Sequence, residues 1–152
     1  MRRRKFLRAT GALLATAALP AVAQQRFQPV QDIAPLLAKL TKGVRAEVGG
    51  VQIELPRIAE NGNSVPMRVT VESPMTPEDH VTAIYLVSER NPRPLMATFH
   101  LGPQSGRAEI LTRVRLAGTQ KVTVLAELSN NRFRMAQTEV LVTSAACLDE
   151  SL

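Results

Sequence analysis

The residue whose chemistry stands out is Cys147, the only cysteine, placed after a strand-like run and followed by Leu148-Asp149-Glu150-Ser151-Leu152. One cysteine cannot close an intramolecular disulfide, which leaves a buried inert thiol, a free reactive thiol, or a bond to another chain. Position favours the last two. Chain beyond the last hydrogen-bonded strand is rarely packed, and the five steps from Val142 to Cys147 reach about 16 Å when extended. A thiol on such a tether can enter another protein's active site, where the thiolate is the nucleophile. Asp149, Glu150 and the terminal carboxylate disfavour that thiolate, but at about 7 Å in water each costs only about 0.6 kcal/mol before salt screening.

Other groups give weaker signals. His80 follows Glu78-Asp79, and His100 lies between Phe99 and Leu101 in an alternating run, so both read as structural. No serine sits on a Gly-x-Ser-x-Gly elbow and neither histidine has the neighbours of a triad, which argues against a hydrolase. Two histidines and one cysteine lack metal-ligand spacing, and Gly49-Gly50 reads as a turn or bulge rather than a phosphate loop. No metal and no cofactor is expected.

The formal net charge of +6 suggests an anionic partner at first sight. Arg2, Arg3, Arg4, Lys5 and Arg8 account for five of the 19 basic residues, however; without them 14 remain against 13 acidic ones. The aromatics beyond the first segment, Phe27, Tyr85, Phe99 and Phe133, are too scattered to form a base-stacking platform. Nucleic acid is not an expected partner.

That basic head, the apolar run Ala12 to Leu19 and the small residues Ala21-Val22-Ala23 predict an export signal over residues 1–23, cleaved after Ala23. The run is too short to span a bilayer, so no membrane attachment is expected once it is removed. Arg3-Arg4-Lys5-Phe6-Leu7-Arg8 fits the twin-arginine pattern that routes folded proteins across the membrane. The competing reading is an ordinary secretory signal that is rich in arginine. The expected location is the periplasm.

The elements that must position Cys147 follow from periodicity. In the entry segment 24–43, Ile33, Leu36, Leu37 and Leu40 recur at helical spacing, with Asp32 as N-cap and Gly43 as terminator. From there the pattern has period two. Seven runs, Val51 to Leu55, Val65 to Val71, Val81 to Val87, Leu95 to Leu101, Ala108 to Leu116, Val122 to Leu128 and Phe133 to Val142, are separated by turn-forming stretches such as Glu60-Asn61-Gly62-Asn63 and Asn91-Pro92-Arg93-Pro94. The expected fold is all-β: an antiparallel, immunoglobulin-like sandwich of about seven strands over residues 44–143, with one short N-terminal helix. In the run 107–116, Ala108, Ile110, Thr112, Val114 and Leu116 share one face and the charges lie on the other, which reads as a solvated surface in preference to an anion site. Residues 144–152 form an expected C-terminal arm.

The stretches Ile58 to Thr76, Arg90 to Gln120 and Glu139 to Thr143 resemble the SoxY family, the carrier subunit of the SoxYZ complex of sulfur oxidation. The resemblance implies an immunoglobulin-like sandwich, pairing with a SoxZ-like subunit, and a carrier cysteine that holds sulfur intermediates covalently for periplasmic sulfur-oxidation enzymes. By position that cysteine is Cys147. The family's arm reads Gly-Gly-Cys-Gly-Gly, whereas this chain has Ala145-Ala146-Cys147-Leu148-Asp149-Glu150 and is similar to a related group with Ala-Ala-Cys-Ile-Glu arms. Each exchange of glycine for alanine removes backbone freedom worth roughly 0.5 to 1 kcal/mol, so a stiffer arm is expected. An interaction module whose arm docks without carrying sulfur is the alternative.

Overall fold

The computed structural model describes residues 28–146. The segment read as an export signal, with the expected cleavage site at Ala23, and Cys147 with the residues beyond it lie outside the described residues.

The helix α1 spans Ala34–Leu40. Asp32 starts it from one residue further out than a standard N-cap, its Oδ1 accepting the Ala34 amide at 2.9 Å. At the other end the Gly43 amide donates to the Ala38 carbonyl and the Lys42 amide to that of Lys39. This is a Schellman-type stop in which Lys42, at φ 55°, takes the left-handed position expected of Gly43.

Nine strands follow: β1 (Glu47–Val48), β2 (Val51–Glu54), β3 (Ile58–Ala59), β4 (Val65–Val71), β5 (Val81–Ser88), β6 (Leu95–His100), β7 (Ala108–Val114), β8 (Gln120–Leu128) and β9 (Phe133–Val142). Seven of them coincide with the runs of alternating hydrophobicity. The other two, β1 and β3, are two residues long, too short to show a period, and both add to the outer edge of β9 in parallel. The all-β sandwich of about seven strands expected from sequence is the fold observed, with these two short parallel strands added at its edge.

The larger sheet runs β1-β9-β8-β5-β6 with β3 also on β9, and the smaller runs β2-β4-β7. Between them lies one apolar core built from alternate residues, including Val65, Val69, Ile84, Leu86, Val122, Val124 and Val140. The outer face of the larger sheet is covered as well. There α1 brings Leu37, Ala38 and Thr41 beside Leu125 and Met135, and Lys42 Nζ reaches Glu127 Oε1 at 3.0 Å. That cover explains why Leu125, which lies outside the main core cluster, is nevertheless fully buried. No helix among the described residues is long and apolar enough to cross a membrane.

Candidate functional site

The chain leaves β9 at Val142, and its next four residues are held at one pole of the sandwich. The Thr143 amide donates to the Ala59 carbonyl at 3.0 Å, and its hydroxyl donates to the Glu60 carbonyl at 3.1 Å. Gly62 then donates to the Ser144 carbonyl at 2.7 Å, Leu116 donates to the Gly62 carbonyl at 2.8 Å, and Ala146 donates to the Leu116 carbonyl at 3.0 Å. Ala146 is 7% exposed. An unanchored tether starting at Val142 is therefore corrected: the chain is fastened as far as Ala146, and the next residue in the sequence is Cys147. The physical reason is that Gly62 and Leu116, from two other loops, supply the backbone partners that an isolated chain end lacks.

Gly62 is needed for this close approach. A Cβ there would collide with the Leu116 carbonyl oxygen and lie 2.9 Å from the Ala146 nitrogen. Its role is steric, since it lets three backbones meet where any side chain would separate them.

Beside this junction lies a buried polar cluster that sequence reasoning missed. Asn91 donates through Nδ2 to the Arg115 carbonyl at 2.8 Å and accepts the Ala117 amide on Oδ1 at 3.0 Å. The Ser88 hydroxyl donates to Gln120 Oε1 and accepts the Asn91 amide at 3.0 Å. The cluster locks the β5–β6 turn to the β7–β8 loop, and that loop carries Leu116, the anchor of Ala146. Asn91-Pro92 signals a turn in sequence; nothing local signals that the amide of Asn91 faces inward.

The histidines do not form a reactive group with one another. His80 Nδ1 lies 3.0 Å from the Thr76 carbonyl and its amide donates to Ser129 Oγ at 3.2 Å, so it fastens a turn. His100 is exposed at the end of β6. Among the described residues no three His, Cys, Asp or Glu side chains gather as a metal-binding group. The chain Tyr85–Glu127–Lys42 ties the end of α1 to the larger sheet. Burial alone would raise the Glu127 carboxyl, but hydrogen bonds from Tyr85 and Lys42 outweigh it and hold the group below its ordinary value. Burial and the bond to Glu127 push Tyr85 up to about 12.

A family model described as sulfur oxidation protein SoxY matches residues 37–147. The chain belongs to the SoxY family. It is a SoxY-family carrier protein and not an enzyme. Among solved structures, the sulfur carrier protein SoxY from Chlorobium limicola f. thiosulfatophilum is similar at 28% identity and a TM-score of 0.60, over 71% of this chain and 89% of that one. A superoxide reductase (neelaredoxin) from Ignicoccus hospitalis matches at 16% identity and a TM-score of 0.55, over 62% of this chain and 80% of that one. A superoxide reductase-like protein from Thermotoga maritima matches at 18% and 0.51, over 76% and 94%. At those identities the last two share the fold alone with this SoxY-family chain. The comparison with curated proteins gave no significant match.

Proposed function

We propose that this SoxY-family chain is a periplasmic carrier that binds sulfur-oxidation intermediates covalently on Cys147 and presents them to partner enzymes, paired with a SoxZ-like subunit. The observation that carries this reading is that the family match runs to residue 147, while the backbone is fastened up to the residue immediately before it. The sandwich then acts as a rigid handle, and a partner that docks on the pole meets the attachment point at a fixed place. Export through the twin-arginine route, with cleavage after Ala23, brings the folded carrier to those partners.

The alternative is an interaction module that docks by the same pole without carrying sulfur. It is favoured by the arm sequence, in which Ala145, Ala146, Leu148 and Asp149 stand where the family's flexible glycines would be. Replacing Cys147 by Ser separates the two readings. In cells that depend on this chain for thiosulfate oxidation, C147S abolishes the activity while leaving protein level and partner binding intact. Full activity of the variant would support the interaction module instead.

A further inference from the structure

On the side of the sandwich away from the β2–β9 contact, the edge strands β6 and β7 form the two lips of an open groove of about 420 Å³. Leu95, Met96 and Val114 give it apolar surface, and Arg93, Arg113 and Arg115 contribute cations. Among the described residues none of these three arginines is in an ion pair. The larger depression along the small sheet shares Arg113 but adds the carboxylate of Glu54, and its Arg68 is paired with both Glu54 and Glu109. The groove is therefore the stronger positive, partly apolar surface.

The groove also begins where the described chain stops. Arg115, on its lip, directly precedes Leu116, whose carbonyl holds the Ala146 amide. The six residues that follow, Cys147-Leu148-Asp149-Glu150-Ser151-Leu152, contain two acids and two leucines. Extended, they reach about 20 Å, whereas the β7 lip from Arg115 to Thr112 needs only about 10 Å. Sign, apolar content and reach all match.

We propose that the acidic segment Leu148–Leu152 docks in this groove of its own chain, with Asp149 and Glu150 against Arg93, Arg113 and Arg115. The docking does not rest on sulfur chemistry at Cys147 and fails or stands separately from it.

Carboxypeptidase removal of Leu152, followed by intact mass under reducing conditions at low salt, tests this. Each protein's rate is compared with that of a free peptide carrying the same last six residues. The protein as exported should lose Leu152 at least fivefold more slowly than its peptide. R93E/R115E and, separately, D149K/E150K should each abolish that protection, and the four substitutions together should restore it, since the pairs are then reversed but complementary. All these positions are in the tail or exposed, so circular dichroism should be unchanged. Digestion of the unaltered protein at the peptide rate would overturn the proposal. So would protection that survives R93E/R115E, which places the tail elsewhere, protection lost on hundredfold dilution, which places it in a second copy, or failure of the combined variant to recover.

Discussion

Tyr85 carries a consequence that a single spectroscopic probe can follow, because it is the only tyrosine. Its folded-state value near 12 lies above the ordinary 10.0, so the neutral phenol is the form the fold favours. The stability it contributes is whole below pH 10 and is lost as pH rises through 12. Glu127 has the opposite sign: its folded value is depressed, so its contribution is present above the unfolded carboxylate value and fades as acid carries pH through the folded one. At pH 10.5 a phenol near 12 is only a few per cent ionised, against roughly three quarters for an unperturbed one. Absorbance at 295 nm should stay low at that pH while circular dichroism reports an intact fold; a free-phenol titration in the folded protein would contradict the Tyr85–Glu127 bond. At this scale the structural role of His80 was legible, since it stands at a strand start. Asn91 was not, since its partners at Arg115, Ala117 and Gln120 lie 24 or more positions away.

Among the elements, the seven long strands were legible because a sheet with a buried face imposes period two on the sequence. The strand β4 shows this most clearly, with Val65, Met67, Val69 and Val71 buried and the residues between them not. The short strands β1 and β3 carry no such signal and exist because the outer edge of β9 offers unpaired backbone groups. The arm base belongs to the same class, since its anchors come from the loops around Gly62 and Leu116 and leave no mark within residues 143–146. Substituting Gly62 by Ala should therefore destabilise the protein by about 1 to 3 kcal/mol through overpacking. Amide exchange at Ala146 should accelerate beyond that of the β8 amides, showing that the junction opens first. Unchanged exchange at Ala146 would mean that the three-backbone contact does not hold the arm.

The molecule as a whole is a sandwich closed on one side, where β2 lies against β9, and open on the other, where β6 and β7 present unpaired edges. Co-expression with a SoxZ-like subunit should give a stable one-to-one complex by sedimentation, and a monomer indifferent to that partner would count against the pairing. The fold class was legible from strand spacing and turn chemistry; which edge is closed was not, because it depends on the crossing of β2 to the smaller sheet and the return of β3 to the larger. The central claim is covalent carriage on Cys147, and intact mass of the protein isolated from the periplasm of thiosulfate-grown cells, without reductant, tests it most directly. The account predicts the mass of the chain from Gln24 onward plus a sulfur-containing adduct that disappears on reduction and is absent from C147S. Unmodified protein throughout, under conditions where the pathway is turning over, would contradict it.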